Sequence, residues 1–336
     1  MALATTHVTR HRITVAAPPE AVFALIADAA GWPQVFGPTV HAEIEQGAAG
    51  GEQLLRIWAF ANGEVRNWTS RRSLDPVGRR ITFRQLVSSP PVAAMGGEWQ
   101  VAAVEGGSEV VLLHDFAALD DDPAAVRWIE QAIDRNSAAE LSALAAAAEA
   151  GADGVGVDGA EAEGAEAEGA EAHGALRFTF SDSVRIDGAA TDVFDFLNRA
   201  DQWPARLPHV ARLDLSERDG VQYLEMDTRA PDGSVHTTTS VRVPFAERGT
   251  IVYKQVKVSP VMAAHTGRWV IEPDPDGGPG LLATSWHTVT LDPAGVAELL
   301  GPDATTAQAR ARVRHALGTN SATTLRHAKE FAEQRR

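Results

Sequence analysis

The 336-residue sequence contains no cysteine, which excludes disulfide bonds, thiolate metal ligands and a thiol nucleophile. It also lacks any apolar run near the length of about 18 residues that a membrane-spanning helix requires. Its opening segment, MALATTHVTRHRITV, has no apolar core of the kind found in signal peptides. These absences predict a cytoplasmic protein that does not enter a membrane.

Several catalytic motifs are missing as well. The sequence has no H-E-x-x-H, no paired Cys/His spacing, no Walker loop and no G-x-S-x-G elbow, so we expect neither a metal nor a cofactor. The formal net charge is −15, but the segment 151–175 alone carries seven acidic residues and no Lys or Arg. The remainder is only mildly acidic, which argues against a nucleic-acid-binding surface.

What the sequence does contain is a long internal repeat. The segment 81–99, ITFRQLVSSPPVAAMGGEW, recurs at 251–269 as IVYKQVKVSPVMAAHTGRW, with eight identical positions that include Trp, Gln and Pro. Further matches near the same spacing extend the repeat over each half of the chain. We therefore predict two similar domains, 1–150 and 176–336, joined by an acidic low-complexity linker at 151–175.

Each copy shows the same order of predicted elements. Each copy begins with a strand and a short Pro-initiated helix, which are followed by a Trp-Pro pair. Short segments of alternating polarity, broken by Gly, come next and are typical of strands. Each copy ends with one long amphipathic helix, at 123–149 and 305–334. This order predicts an α+β fold in which a curved antiparallel sheet wraps around the C-terminal helix. The space between sheet and helix is the expected ligand cavity.

Strand alternation places candidate polar side chains on the inner face of the first sheet. Trp68, Ser70, Arg72 and Leu74 share one face of the segment 67–74. Because this face holds both large apolar groups, it should point inward and carry Arg72 with it. A buried guanidinium needs a polar partner, which is either a structural ion pair or the oxygens of a ligand.

The second copy has Ser240 and Arg242 at the matching positions. There the apolar Val241 and Val243 lie on the opposite face, so this strand alone favours an outward Arg242. We give the repeat more weight and expect Arg242 to point inward.

Two histidines occupy matching positions in the last strand of each copy. His114 shares a face with Leu112 and Phe116, and His287 shares a face with Val289. A histidine on an apolar face is either a core residue with satisfied hydrogen bonds or a group that transfers protons near neutral pH. Their recurrence in both copies leaves these two readings about evenly balanced.

The long helices supply a third polar element. Asn136 lies at the edge of the apolar stripe of the first helix, and Asn320 lies within that of the second. A short amide at this place either bonds to the sheet or faces the cavity. Asp134 is a neighbour in the first helix, although its counterpart in the second is Gly318.

With these residues, the sequence resembles the didomain aromatase/cyclases of bacterial type II polyketide synthases, whose domains have the helix-grip fold (Bet v 1-like, START-related). The motifs that carry the resemblance are Trp32-Pro33 with Trp203-Pro204, the segment from Trp68 to Arg72, the repeated segments ending at Trp99 and Trp269, Leu113-His114-Asp115-Phe116 with Trp286-His287, and Arg135-Asn136-Ser137 with Asn320-Ser321.

The resemblance implies an enzyme without a cofactor, which cyclises and dehydrates a poly-β-ketone bound to an acyl carrier protein in antibiotic biosynthesis, alongside other synthase components. Ring closure would join the seventh and twelfth carbons, or a ring already reduced at the ninth-carbon ketone would be aromatised. Arg72 with Ser70, and Arg242 with Ser240, would hold carbonyl and enolate oxygens, while His114 and His287 would transfer protons. The residues expected to contact the substrate are Trp32, Trp68, Trp99, Asp134, Asn136, Trp203, Trp269, Trp286 and Asn320.

The sequence departs from the single-domain relatives of this family at Thr39 and Val210, where they carry Tyr, and at His114, where they carry Gln. Their choice of ring is therefore not transferred to this chain. Two alternatives stay open: a START-like carrier of a hydrophobic ligand, and a protein in which one copy is catalytic and the other a scaffold.

Overall fold

The computed structural model describes residues 5–47, 51–61, 63–153, 176–229, 233–278 and 280–335. The chain divides into two units, Met1–Glu161 and Ala162–Arg336, and each is described by itself. The acidic linker predicted at 151–175 lies outside the described residues from position 154 onward. Its first three positions continue the preceding helix, because Ala and Asp are compatible with helix and one Gly near a helix end costs only about 1 kcal/mol. The boundaries at 150 and 176 stay predictions.

The first unit is an antiparallel sheet of seven described strands in the order β1-β7-β6-β5-β4-β3-β2. Its elements are β1 (His7–Val15), α1 (Pro19–Ala27), α2 (Trp32–Val35), β2 (Thr39–Gly47), β3 (Glu52–Ala61), β4 (Glu64–Asp75), β5 (Arg80–Gln85), β6 (Val92–Val104), β7 (Gly107–Ala118) and α3 (Pro123–Asp153).

The second unit repeats this sheet, with the strand order β8-β14-β13-β12-β11-β10-β9. Its elements are β8 (Arg177–Ile186), α4 (Ala190–Asn198), α5 (Trp203–Arg206), β9 (Val210–Arg218), β10 (Val221–Arg229), β11 (Val235–Phe245), β12 (Thr250–Lys257), β13 (Met262–Pro273), β14 (Leu281–Leu291), α6 (Pro293–Leu300) and α7 (Thr306–Glu333). The helix α6 lengthens the connection between the last strand and the long helix relative to the first unit.

The long helices form where the sequence supplies caps and an apolar stripe. Thr305 caps α7 in a capping box with Gln308, whose backbone N–H lies 3.2 Å from the threonine hydroxyl. In α3, buried residues recur every fourth position at Ile129, Ile133 and Ser137, which is the spacing of one helix face. Each long helix therefore packs one stripe against the inner face of its sheet.

The alternation in β4 and β11 sets the direction of the two arginines. Arg72 and Arg242 are each only 2% exposed and lie on the inner faces of their sheets. The apolar pattern of β11 alone pointed the wrong way because both of its faces are buried at this point: Val241 and Val243 are 1% and 4% exposed. The repeat predicted this orientation correctly.

Within the described ranges, no helix combines the length and apolar character needed to cross a bilayer.

Candidate active site

The guanidinium of Arg72 is held in place by three hydrogen bonds. Its Nε donates to Oε1 of Gln53 at 2.8 Å, and its Nη1 and Nη2 donate to the carbonyl oxygens of Ile26 and Ala27 at 3.2 and 2.5 Å. Those carbonyls belong to the last turn of α1, where helix carbonyl groups lack helical partners and favour cations. Burial lowers the pKa of Arg72 to about 10, a shift that the nearby Asp28 carboxylate partly opposes.

Trp32 and Ser70 complete the surroundings of Arg72. The guanidinium carbon lies 5.4 Å from the centre of the Trp32 ring, a cation–π distance. The indole N–H of Trp32 donates to the Ile26 carbonyl at 3.1 Å, which fixes the ring beside the charge. Ser70, two residues before Arg72 on the same face, donates to the backbone oxygen of Arg84 at 3.2 Å. The predicted pair of Arg72 and Ser70 thus lies together on the inner face.

His114 lies on the inner face of β7, with Thr9 and Gly97 as its Cα partners on the flanking strands. The ring of Phe83 meets its imidazole edge-on at a centroid distance of 5.6 Å. Burial lowers the pKa of His114 to about 4; the charge of His11 lowers it further and that of Asp115 raises it. The imidazole is therefore neutral near pH 7 and available to accept a proton.

The inner face of the first unit retains accessible side chains beneath α3. Trp32, Trp68, Phe83 and His114 point inward but stay partly exposed. Four buried polar atoms of the first unit also lack hydrogen-bond partners among the described residues: Thr9 Oγ1, His11 Nδ1, His114 Nδ1 and Ser137 Oγ. Ser137 is the counterpart of Ser321, which contacts His287 in the second unit. Buried polar groups are normally satisfied by protein, water or ligand, so these atoms outline an interior polar space suited to a ligand.

In the second unit the arginine has fewer bonds. Nη2 of Arg242 donates to the carbonyl oxygen of Leu197 at 2.6 Å, and its guanidinium lies 5.2 Å from the Trp203 ring centre. Nε and Nη1 have no partner in the described part of the chain. The side-chain amide of Gln222, the counterpart of Gln53, instead donates to Glu217 and Asn198. Burial lowers the pKa of Arg242 to about 10.

The histidine of the second unit is surrounded by polar neighbours. Nδ1 of His287 lies 3.0 Å from both the Tyr253 hydroxyl and Nε2 of His265, and its Nε2 lies 3.1 and 3.2 Å from the hydroxyls of Ser285 and Ser321. His287 is 4% exposed, and burial lowers its pKa to about 4. A saturated imidazole of this kind is poorly placed to exchange a proton with a substrate.

The predicted tryptophans divide into two groups. Trp99 and Trp269 are each buried in the core of their own unit, and Trp68 packs on a separate cluster of the first unit with Leu55 and Ile57. Trp203 donates to the Phe196 carbonyl as Trp32 does to Ile26. The prediction for Trp286 was wrong. It lies on the outer face under the guanidinium of Arg268, at 5.3 Å, because adjacent strand residues alternate and His287 points inward.

The helix amides also differ from the prediction. Asn136 is exposed and does not face the interior, whereas the next residue, Ser137, is fully buried. Asn320 is partly buried, and Ser321 beside it contacts His287. A helix turns by about 100° per residue, so a stripe edge assigned from sequence can be off by one position.

Asp134 contacts a histidine of the first strand. Its Oδ1 lies 2.9 Å from Nε2 of His11, and its side chain is 63% exposed. In the second unit the acid lies on the strand instead: Asp182 binds Arg314 of α7 at 2.7 and 3.0 Å. At Gly318, the counterpart of Asp134, a β-carbon would meet the Arg314 guanidinium in its present position.

Two further polar residues were missed by the sequence analysis. Glu140 follows Ser137 by one turn of α3 and is only partly exposed; burial raises the pKa of its carboxyl to about 7. The position of Glu140 on the apolar stripe of the helix could have identified it from the sequence. His265 lies two residues before Gly267 on the inner face, which alternation would have shown, and burial and the neighbouring His287 lower its pKa to about 3.

A groove of about 470 Å³ lies against the sheet of the first unit, and its lining includes Arg72 and His114 together with residues of the outer face. Most of its lining side chains, such as Arg71, Arg84 and Asp115, alternate to the outer face, where Arg84 and Asp115 form an ion pair at 2.7 Å. The side chains of Arg72 and His114 point to the other side of the same strands. We therefore assign the candidate site to the interior.

Comparison with known proteins agrees with the tandem organisation. A family model described as "Polyketide cyclase / dehydrase and lipid transport" matches residues 6–149 and again 177–322. The granaticin polyketide synthase bifunctional cyclase/dehydratase of Streptomyces violaceoruber is 46% identical, over 98% of this chain and 95% of that protein. The actinorhodin polyketide synthase bifunctional cyclase/dehydratase of Streptomyces coelicolor is 40% identical, over 95% and 94%.

Two crystal structures match nearly the full length of the chain. The di-domain ARO/CYC BexL from the BE-7585A biosynthetic pathway matches with a TM-score of 0.83 and 46% identity, over 97% of this chain and 99% of that one. The di-domain ARO/CYC StfQ from the steffimycin biosynthetic pathway matches with a TM-score of 0.78 and 32% identity, over the same shares.

Fold and site together define a tandem helix-grip protein with an interior Arg and His set in each unit. The family model covers both units almost completely. The chain belongs to the polyketide cyclase/dehydrase and lipid transport family.

Proposed function

We propose that the chain is a polyketide aromatase/cyclase, which closes the first ring of a poly-β-ketone held on an acyl carrier protein and then removes water. Its relatives are named as bifunctional cyclase/dehydratases of polyketide synthases. One observation carries the proposal: a guanidinium fixed by three hydrogen bonds shares an inner face with an imidazole nitrogen that no described group satisfies.

The arginine would stabilise negative charge on the substrate. Three bonds to Gln53 and to the end of α1 fix the guanidinium of Arg72, yet do not use all of its N–H donors. The remaining donors can hold the oxygen of an enolate and then that of the alkoxide formed on ring closure. Ser70 would join them by turning its hydroxyl from the Arg84 backbone oxygen to the substrate. Donors fixed before the reaction stabilise developing charge without reorganisation, as an oxyanion hole does.

His114 would remove the proton that starts the reaction. A methylene between two carbonyl groups is already acidic, so a neutral imidazole of modest basicity is enough. The carbanion attacks a carbonyl carbon of the same chain, and the regiochemistry that we propose joins the seventh and twelfth carbons. Trp32, Trp68 and Trp99 would hold the flexible chain in the folded conformation required for attack.

The following loss of water needs an acid. Glu140 is protonated below about pH 7 because burial raises its pKa, so it can donate a proton to the departing hydroxyl group. Before this step the alkoxide takes back the proton that His114 removed from carbon, which gives the hydroxyl group and frees the imidazole. His114 can then remove the second carbon-bound proton. The products are the aromatic ring and one water molecule, and each catalytic group must afterwards recover its starting protonation state.

The second unit would contribute binding more than proton transfer. Arg242 and Ser240 lie on its inner face, and the unpartnered N–H groups of the guanidinium suit substrate oxygens. His287, which the sequence analysis assigned to proton transfer, has polar neighbours on both ring nitrogens. We therefore propose the first unit as the place of the chemistry.

Reconstitution with a minimal type II polyketide synthase tests this function, with and without a ketoreductase. The full chain should redirect shunt products to a single first-ring product, and the His114→Ala variant should not. A protein that binds polyketides and releases them unchanged would support the START-like carrier instead.

A further inference from the structure

A second histidine lies beside His114 on the inner face of the first unit. Thr9 of β1 is the Cα partner of His114, and His11 follows it by two residues, so its side chain points to the same face. Diagonal neighbours of this kind lie about 7–8 Å apart at their Cα atoms. The two imidazoles are therefore close enough for a single small polar group to bridge them.

Several buried polar atoms on and near the two rings lack partners in the described structure. Nδ1 of His114, Nδ1 of His11 and the hydroxyls of Thr9 and Ser137 are buried, and none has a hydrogen-bond partner among the residues the structure describes. Buried polar groups are rarely left unsatisfied, and ordered water is the usual bridge where several converge. These buried atoms on neighbouring residues of the inner face therefore call for a bridging polar group such as water.

From His11 the polar contacts lead to the surface. Nε2 of His11 lies 2.9 Å from Oδ1 of Asp134, and the exposed fraction rises from 19% for the His11 side chain to 63% for that of Asp134. The charged groups near this path are Asp134 on α3 and Asp115 on β7, and Asp115 points to the outer face. A proton that reaches His11 therefore meets a carboxylate in contact with solvent.

We propose that His11 and Asp134 form a proton relay that connects His114 with solvent. The relay rests on the proposed role of His114 as the base. In the dehydration step, His114 gains a proton from carbon, and Glu140 loses one to the departing hydroxyl, which leaves as water. The relay takes the proton from His114 to solvent through His11, and solvent returns one to Glu140, so no net proton is consumed.

The second unit is an internal comparison, because each relay position is changed there. Phe180 replaces Thr9 and stacks on His287 at 4.7 Å, and Asp182 replaces His11 and binds Arg314. Gly318 stands where Asp134 stands in the first unit. The second unit therefore lacks the histidine and the carboxylate that connect His114 to solvent in the first unit, although both units share the fold and the inner-face histidine.

The test uses the full chain with a minimal polyketide synthase and measures aromatic product formed per unit time. His11→Ala should lower turnover by about tenfold to a hundredfold, less than the 10²–10⁴-fold typical of a direct acid or base, and leave the apparent KM unchanged. Imidazole added to the buffer should restore turnover by entering the space left by the side chain. Asp134→Asn should cause a smaller loss and raise the solvent isotope effect, while Asp182→Asn in the second unit should match the unmodified protein.

Several outcomes would overturn the relay. If His11→Ala keeps wild-type turnover while His114→Ala is inactive, the relay is wrong and the proposed function stands. If His114→Ala keeps full turnover, both the relay and the proposed role of His114 as the base are wrong. A loss in His11→Ala that imidazole does not restore, with an unchanged solvent isotope effect, indicates a structural role and also overturns it. If His11→Ala does not fold, His11→Gln and Asp134→Asn provide the same comparison.

Discussion

In the second domain the ring of Phe180 stacks on the imidazole of His287, with centroids 4.7 Å apart and planes 17° from parallel. In the first domain the same position beside His114 is Thr9, which is small and polar. The residue on the first strand therefore differs between the units: an aromatic ring stacks on His287, and a small hydroxyl side chain lies beside His114.

For the two arginines, the second unit is the one that leaves polar atoms without partners. Arg72 is fixed by three hydrogen bonds, whereas Arg242 makes one and leaves two nitrogens without a partner among the described residues. The cause is the glutamine on the neighbouring strand, since Gln53 accepts from Arg72 while the amide of Gln222 turns to Glu217. The domains therefore share a fold but differ in the side chain that has unpartnered nitrogens: His114 in the first and Arg242 in the second.

Replacing Arg72 should abolish control over the first ring. In Arg72→Ala the donors that hold the enolate are lost, so the synthase should return to a mixture of shunt products, as seen by chromatography of reconstituted reactions. Arg71→Ala is the matched control. Arg71 is the adjacent residue on the outer face, exposed and without an ion pair in the described structure, so its loss should leave the product unchanged.

If both variants give the same product profile while circular dichroism shows an intact fold, Arg72 has no part in ring choice. Arg72→Lys refines the result: it keeps the charge but loses the planar fork that binds three acceptors. We expect it to behave more like Arg72→Ala than like the unmodified protein.

The pH dependence of kcat/KM should be bell-shaped, with limbs set by two displaced pKa values. His114 must be neutral to act as the base, and burial lowers its pKa to about 4, so activity should rise as pH increases through about 4. Glu140 must be protonated to act as the acid, and its raised pKa of about 7 should make activity fall as pH increases through about 7. An acidic limb near 6.5, the ordinary value for histidine, would contradict this assignment.

Glu140→Gln separates the chemical from the structural effect of that carboxyl. The amide keeps a hydrogen-bond donor but does not titrate, so the alkaline limb should disappear and activity should fall at all pH values. The folded-state pKa lies above the ordinary value, so the stabilising contribution of the protonated form is present at low pH and lost as pH rises through about 7. We therefore expect the difference in unfolding temperature between Glu140→Gln and wild type to be more favourable to the variant at about pH 8 than at about pH 5.

Much of the fold follows from the sequence, because the repeat provides two independent readings of each element. Alternation in β4 places Arg72 inward by itself, and the repeat corrects the misleading pattern of Val241 and Val243 in β11. That pattern fails because alternation assumes one solvent-exposed face, and β11 has none at this point. Alternation would also have placed Trp286 outward, opposite to His287, had it been applied there.

The finer parts of the site depend on contacts between distant segments. Nothing in the local sequence shows that the end of α1 supplies the carbonyl oxygens for Arg72, or that His11 meets Asp134, which is 123 positions away. The exposed Asn136 shows a second reason: a one-residue error in helix phase moves a side chain from the interior to solvent. These features are set by packing and were not predicted.

Gly97 should be intolerant of even a methyl group. A β-carbon at this position would lie 2.6 Å from Cζ of Phe83 and would also collide with the backbone oxygen of Leu113. Overpacking of this kind costs about 1–3 kcal/mol, and displacement of Phe83 would disturb the edge of the ring that meets His114. Chemical denaturation of Gly97→Ala should show this loss, together with reduced turnover.

The control for this variant is Gly51→Ala, since a β-carbon there meets no described atom within 4 Å. It should leave the unfolding free energy nearly unchanged. Equal stability of the two variants would mean that the strand carrying Gly97 shifts easily, and the close approach of Phe83 would then be unimportant.

Replacing each arginine by methionine should change stability in opposite directions. In Arg72→Met, three hydrogen bonds from a charged donor are lost, and each bond of this kind is worth about 1.5–3 kcal/mol. In Arg242→Met, one bond is lost but a buried charge without an anionic partner is removed, a change that is often neutral or stabilises by about 1–4 kcal/mol. Hydrogen exchange of the amides in β4 and β11 measures each domain separately. Equal losses would show that Arg242 is satisfied within the protein, and its proposed role in binding substrate oxygens would then have no support.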